Sequence, residues 1–519
     1  MTRLLVLIAF FLPFGLWAQP QNIMISNTNN PEEPSIYINP KNPALIMAGA
    51  NINKVYISQD TGRTWTLSYL SSQSGVWGDP CISTDTAGNF LFLHLANPPQ
   101  NGHWIDRIVF QKYDVGQQQW TTDTYMGLNG SKAQDKEWIA VDPNTNYMYV
   151  TWTEFDKYGS KDPLDSSRIL FSRSTDGGQS WSNPVRLSKK AGNCIDSDST
   201  VEGAVPAIGP NGEIYVSWAG PEGLVFDRSL DSGNTWLAND IPIDPMPGGW
   251  DYDIPGISRC NGLPITKCDV SGGPHNGTIY INWTDQRNGL SNVDVWLAKS
   301  TDGGNTWSTP VRVNDDTTQH NQFLTWMDID QSTGYLYFVF YDRRNYTDEH
   351  TDVYLAISKD GGATFENYKI SQTPFFPDAN IFFGDYNNIS VRNGIVRPIW
   401  TRLHNGQLSV WTALINPDTP LGMEQTNKTI TSAEAQTYPN PTSGINYFSF
   451  KLHQASRVQL TVVDSKGRVV ARIIDGKQMD AGMYIEKFDV VEHQLSTGTY
   501  YFVLDTGEGH ISKTFVIMN

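Results

Sequence analysis

Ser300-Thr-Asp302-Gly-Gly304-Asn-Thr-Trp307 is one of five stretches in this 519-residue chain that share the pattern Ser-x-Asp-x-Gly-x-x-aromatic. The others begin at Ser58, Ser174, Ser229 and Ser358, the last ending in Phe365 rather than Trp. Each has the chemistry of a hairpin turn. The aspartate (Asp60, Asp176, Asp231, Asp302, Asp360) can accept backbone N–H bonds, the glycine allows positive φ, and the ring anchors the turn to its sheet. The serines are 116, 55, 71 and 58 residues apart, and since 116 is twice 58 a further copy is expected midway through the first interval. Tyr113-Asp114-Val115-Gly116 leading to Trp120 occupies that place, with one extra residue.

A second repeat lies upstream of each turn: a short strand, a tight turn and an apolar strand that often ends in an aromatic. The copies are Pro34-Ser-Ile36 with 44–50, Pro80-Cys-Ile82 with 90–95, Trp138-Ile-Ala-Val141 with 147–152, and Pro206-Ala-Ile208 with 214–218. They continue as Pro255-Gly-Ile257 with 278–283, Trp326-Met-Asp-Ile329 with 335–340, and Ile389-Ser-Val391 with 395–400. The seventh runs on through 408–414 and stops without a turn motif; Asn22-Ile-Met-Ile-Ser26 can supply its missing strand and leave no open sheet edge. The five clear turn motifs and the worn one resemble the Asp-boxes of sialidase-like β-propellers. The resemblance implies an all-β propeller over 19–415, with seven blades favoured by the unit count and six, as in the sialidases themselves, the alternative. An Asp-box is a structural latch and carries no catalytic role.

Composition agrees with an all-β chain. Only 18% of residues are charged, while 44 Gly, 29 Pro, 22 Phe, 23 Tyr and 17 Trp favour turns and strands over long helices. The net charge of −17 and the lack of a Lys/Arg cluster exclude nucleic acid as an expected partner. Met1-Thr-Arg3, an apolar run over 4–17 and Ala18 read as a signal peptide over 1–18, and no later segment is apolar for about 18 residues, the length of a membrane span. Export permits disulfides. The four cysteines allow three pairings; Cys260 and Cys268 are expected to staple the loop between them, with Cys81 and Cys194 a second candidate pair and free buried thiols the alternative.

Residues 416–437 read as a polar linker, and 438–519 as a second β unit of sandwich type, Ig-like in strand length and spacing. Its Tyr438-Pro-Asn-Pro441 start, Asp464-Ser-Lys-Gly467 turn, Gly482-Met-Tyr484 and Gly498-Thr-Tyr500 pairs, and basic-then-apolar ending resemble the type A C-terminal sorting domain of the type IX secretion system. That resemblance implies passage through the periplasm of a Bacteroidota-type bacterium, contact with the type IX machinery, and release or attachment at the cell surface.

The turn motifs lie between third and fourth strands, so first-strand starts and second-strand ends share the opposite face. First-strand starts supply Glu33, Asp79, Asp135, Glu137, Glu202, Asp251, Asp253 and Asp385, with Trp77 nearby. Second-strand ends supply Glu154, Asp285 with Arg287, Asp342 with Arg344, and Arg402 with His404. The catalytic candidates are Asp285, Arg287, Asp342, Arg344, Arg402 and Glu154; the ligand-binding candidates are Asp79, Glu137, Asp253, Trp77 and His404. Carboxylates with a few guanidiniums suit a polar ligand such as a sugar, or a hard cation such as Ca2+. No His/Cys spacing marks a metal centre. The sialidase resemblance implies three arginines on a substrate carboxylate, the first in an Arg-Ile-Pro-like motif before the first Asp-box. Glu33-Pro-Ser-Ile36 stands there instead. Three functional classes therefore remain: a secreted glycan-binding propeller, a sialidase-like glycoside hydrolase, and a non-catalytic surface adhesion or protein-interaction module.

Overall fold

The computed structural model describes residues 20–416 and 435–518, apart from 101, 453–454, 465–467 and 507–508. The predicted signal peptide, most of the predicted linker and the tip of the Asp464 turn lie outside the described residues. Strands make up both units of the chain, 19–421 and 422–519, and the described residues contain no helix.

The first unit is a seven-bladed β-propeller. Its innermost strands are Ser35–Ile38, Gly78–Thr84, Ala133–Val141, Glu202–Ile208, Ile265–Cys268, Gln322–Asp330 and Asn388–Arg392. Each begins an antiparallel blade with four strands in series, and each contacts the innermost strand on either side, the seventh closing onto the first. In the seventh blade the outermost strand is Gln21–Ser26, paired antiparallel with Gln407–Leu414, so the chain's beginning seals its own ring. The long apolar strand residues pack between blades; Trp152, Trp218, Trp283 and Trp400 are all fully buried there.

The sequence places the fifth innermost strand at Pro255-Gly-Ile257, and the structure corrects this. Ile265–Cys268 pairs with Ile279–Asp285, while Asp251–Tyr252 and Cys260–Asn261 form a separate two-stranded hairpin in the crossing from blade 4 to blade 5. The same geometry overturns the predicted staple. Cys260 and Cys268 are free buried thiols, as are Cys81 and Cys194. The extended strand carries Cys268 into a different apolar cluster from Cys260, and a disulfide needs Cα atoms within about 7 Å.

The repeated turns join neighbouring blades. In the fifth blade the Ser300 hydroxyl donates to Asp302 Oδ1 (2.7 Å) and accepts the Gly304 amide (2.8 Å), and Thr306 donates from its amide (3.0 Å) and hydroxyl (2.7 Å) to the two Asp302 oxygens. A β-carbon on Gly304 would fall 2.2 Å from Phe226 of the preceding blade, and Trp307 meets the same ring edge-on at 5.1 Å. Trp181 with Phe110 and Trp236 with Phe171 repeat this contact at 5.3 and 4.9 Å. Basic residues reinforce it: Arg173 Nη2 donates to Asn234 Oδ1 (2.7 Å), Arg228 Nη2 to Asn305 Oδ1 (2.8 Å) and Lys299 Nζ to Gly361 O (2.7 Å), each in the next turn. Ring closure uses fully buried Arg397, which donates to Thr61 O (2.8 Å) in the first turn and to Ile415 O (2.6 Å) where the propeller ends. The worn copy at Asp114 is a hairpin pairing Tyr113 with Trp120, and Asp114 accepts the Gln117 amide at 2.8 Å.

The second unit is a sandwich of two sheets. One contains Ala435–Tyr438, Ile445–Leu452 and Gly482–Asp489; the other contains Val469–Met479, Ser456–Asp464, Gly498–Thr506 and Gly509–Ile517. Phe448, Phe450, Phe488, Phe502 and Phe515 fill the space between them. The opening motif is tied to the last strand through Asn440, whose side chain donates to Thr514 O (2.9 Å) and accepts the Val516 amide (2.8 Å). In both Gly-x-Tyr pairs the tyrosine hydroxyl donates to the carbonyl four residues upstream, Tyr484 to Asp480 (2.8 Å) and Tyr500 to Ser496 (3.0 Å).

Candidate functional site

The propeller mouth opposite the repeated turns is shaped by a distortion of the innermost strands. Register shifts fall between Gly78 and Cys81, Asp135 and Trp138, Glu202 and Val205, and Phe323 and Trp326. Two residues in each gap have no partner, which breaks the strand's two-residue alternation. The first of each gap has positive φ: Asp79 (53°), Lys136 (50°), Gly203 (78°) and Leu324 (48°), and Glu33 (51°) enters blade 1 in the same conformation. Only glycine fits at 203, where a β-carbon would lie 2.8 Å from Leu263.

Lys136 is the centre of the charge cluster that results. Its Nζ lies 2.7 Å from Asp385 Oδ2. Burial works against its charge, but Asp385, Asp135, Asp79 and Glu202 hold its pKa well above the ordinary lysine value. Arg259, from the hairpin between blades 4 and 5, pairs with the same carboxylate, Nε lying 2.8 Å from Asp385 Oδ1, and its Nη1 reaches Asp196 at 3.2 Å. Burial would raise the Asp385 pKa; Lys136 and Arg259 outweigh it and bring it down to about 2.

At the remaining mouth carboxylates burial outweighs the pull of Lys136. Glu137 and Glu202 are 1% and 0% exposed; the Glu137 oxygens have no hydrogen-bond partner, and Glu202 has only the Asp196 carboxyl to share a proton with. Burial, then the charge of Asp79 on Glu137 and of Asp196 on Glu202, pushes both well above the carboxylate range. Glu33 is raised in the same way by burial, Asp79 and Asp385, although its oxygens accept the Asn51 side-chain amide and the Asp385 backbone amide. Burial lifts Asp135 to about 7 against the pull of Lys136, and Glu32 to about 8 against Lys54.

Aromatic rings close the channel and border the mouth. Trp138 lies 4.5 Å from Trp326 and 5.3 Å from Tyr386, ring centre to ring centre, so that residues of blades 3 and 6 and of the approach to blade 7 meet. These three rings line a small cavity of about 30 Å³, together with Lys136, Asn261 and Asp385. At the rim Trp77 and Trp104 are 39% and 42% exposed and meet edge to face at 5.6 Å. Trp104 contacts Tyr158 at 5.6 Å, and the Tyr158 hydroxyl donates to Asp196 at 2.6 Å. Exposed aromatic surface thus leads directly into the Asp196–Arg259–Asp385–Lys136 network.

The structure gathers Glu33, Asp79, Asp135, Glu137, Glu202 and Asp385 at this mouth and keeps the second-strand candidates apart from it. Arg287 is bound by Asp285 (2.5 Å) and Asp244 (2.8 Å), and Arg344 by Asp342 (2.8 Å) and Asp315 (2.5 Å). Arg402 donates to Pro374 O (3.1 Å) and Thr373 Oγ1 (3.2 Å) between the Phe375 and Trp411 rings. The three arginines share no partner and none lines the cavity, so no carboxylate clamp forms; their own and adjacent loops hold them. Burial raises Asp342 to about 6 against Arg344. Glu154 accepts from Arg168 (2.5 Å) and Asn129 (3.0 Å), and His404 packs on Trp411 at 5.3 Å. Asp253 is exposed and, after burial, Asp198 and Asp196, adds to the charges that raise Asp251. Among the described residues no three His, Cys, Asp or Glu side chains are grouped to hold a metal. Sequence reasoning missed Lys136, Arg259, Trp104 and Tyr158. The charged triplet Asp135-Lys136-Glu137 opening an apolar strand was a readable signal for the first, whereas nothing local marks Arg259, which acts 126 residues away.

Comparison with known proteins matches residues 436–518 to the family model described as "Secretion system C-terminal sorting domain". No curated protein matches the chain. Among solved structures it is similar to a Hadza microbial sialidase (13% identity, 71% of this chain and 73% of that one, TM-score 0.39). It is also similar to a PL25 ulvan lyase (11%, 76% and 96%, TM-score 0.46) and to a Penicillium chrysogenum α-L-arabinanase (13%, 66% and 98%, TM-score 0.41). The β-sandwich that follows the propeller is a secretion system C-terminal sorting domain, which marks the chain for export.

Proposed function

We propose that this protein is an exported carbohydrate-binding propeller whose ligand enters at the first-strand mouth, over Trp77 and Trp104. The observation that carries this reading is the continuity from two exposed tryptophans through Tyr158 to a buried polar network. Sugars are bound where an aromatic face covers their C–H surface and a few fixed polar groups take their hydroxyls. Asp79, Asp196 and Arg259 are the polar groups nearest solvent in that network. The sorting domain supports delivery by the type IX system to the cell surface or medium, where glycans are met.

The test is a glycan array followed by calorimetry on the full chain. Trp77→Ala and Trp104→Ala are each expected to weaken binding by about tenfold or more, close to 1.4 kcal/mol, without a change in thermal stability. Binding unaffected by either substitution would place the ligand elsewhere.

One observation favours a second reading, glycoside hydrolysis. Burial pushes Asp135 up to about 7 while Lys136 and Arg259 hold Asp385 down to about 2, and both act on Lys136, so one can carry a proton while the other is ionised. Turnover of a fluorogenic glycoside that disappears in Asp135→Asn supports it, and binding without turnover across the panel removes it.

A further inference from the structure

Resting on that carbohydrate reading, we infer that the mouth selects a sugar bearing a free ammonium group, an amino sugar, over neutral and acidic sugars. Glu33, Asp79, Asp135, Glu137, Glu202 and Asp196 are gathered around Lys136 and Arg259, and both of those cations are already paired with Asp385. The third nearby cation, Lys54, donates to its own loop at Asn51 O (2.5 Å). An acidic sugar adds negative charge beside Glu33, Glu137 and Glu202, whose protons burial and neighbouring charge already hold, and is rejected. An ammonium group adds the opposite charge and lets those carboxyls release their protons.

The independent observation is the state of Glu137 and Glu202. The two Glu137 oxygens are buried with no partner at all and Glu202 has only the Asp196 carboxyl beside it, which is unusual, because a buried polar atom left unpaired costs the desolvation it never recovers. The charges acting on these two side chains are those of the mouth itself, Asp79, Asp135 and Lys136 for Glu137, and Asp196, Lys136 and Asp135 for Glu202. An ammonium supplies three N–H donors and a positive charge, the two things these acceptors lack. The carboxylates are spread over blades 1 to 4 and the approach to blade 7, with no three grouped to hold a metal among the described residues, which suits an organic cation better than a compact ion. Trp77 and Trp104 offer the sugar ring its apolar contact and the ammonium a cation–π face.

The experiment is calorimetry of the full chain at pH 7 and physiological salt with a glucosamine tetramer, its N-acetylated counterpart, a galacturonate tetramer and CaCl2 alone. The glucosamine tetramer should bind one per chain and at least about tenfold tighter than the N-acetylated one, and the galacturonate should not bind. Glu202→Gln and Asp79→Asn should each cut that preference to under about threefold. Asp79→Asn guards against misfolding, since asparagine is at ease at positive φ. Equal affinity for the amino and N-acetyl forms overturns this inference and leaves the carbohydrate reading standing. No binding by any sugar overturns both. Calcium binding that displaces the sugar, or binding of several tetramers indifferent to Trp104→Ala, also overturns it.

Discussion

The two ends of the propeller use the carboxylate group in opposite ways. At the turn end Asp302 has both oxygens filled by donors within four residues, and the Thr306 hydroxyl, the Thr306 amide and Ser300 hold its pKa down to about 2. At the mouth Glu137 is buried without a donor and Glu202 with only the Asp196 carboxyl beside it, and burial pushes them well above the carboxylate range. A carboxylate whose donors are local is a fastener. One whose donors are missing marks a place where the fold gives up stability for a ligand.

The largest effect is expected where the turn end closes the ring. Arg397→Ala removes donors from Thr61 O, Ile415 O and Val396 O at a fully buried site, and should cost about 3 kcal/mol or more in guanidinium unfolding. Next, Glu202→Gln should do the reverse of a typical core substitution. It should raise the melting temperature at pH 8, where the native side chain is forced toward ionisation, and change it little at pH 5. An equal loss at both pH values would mean that Glu202 has a partner besides Asp196 in the folded chain.

The pH profile of the wild-type protein sharpens the comparison further. Asp135 and Glu32 bind protons more tightly folded than unfolded. Their contribution is therefore complete below the ordinary carboxylate range and is lost as pH rises through about 7 and about 8. Asp385 and Asp302, held near 2, contribute above the ordinary range and lose that contribution only as pH falls toward 2. The melting temperature should thus decline between pH 6 and about 9, and a flat profile there would contradict the raised values at the mouth. The smallest effect is expected for Asp302→Ala, about 1 kcal/mol, comparable to losing a helix cap at a solvent-exposed turn, with sugar binding unchanged.

Much of the fold was legible because its signals are local. The Ser-x-Asp-x-Gly turns close over a few residues, and the count of strand pairs favours seven blades over six, with the N-terminal strand closing the ring, as the structure has it at Gln21–Ser26. The error at Pro255-Gly-Ile257 has a local cause as well: a Pro-x-Ile triplet resembles the other strand starts, and only pairing with Ile279–Asp285 shows that Ile265–Cys268 is the strand. The mouth was half legible. Its acidic members stand at strand starts, yet Arg287, Arg344 and Arg402 looked equally well placed, and the loops of Asp285, Asp342 and Thr373 capture them.

The sequence by itself determined the repeat, the latch chemistry and the sorting domain and favoured seven blades over six, because each rests on residues close together in the chain. Only the tertiary structure decided which charges meet. Asp385 lies 249 residues from Lys136 and 126 from Arg259, and strand bulges with positive φ turn Asp79 and Lys136 out of the regular alternation. Coulomb energy and desolvation depend on distance and burial in space, and neither is written in sequence separation.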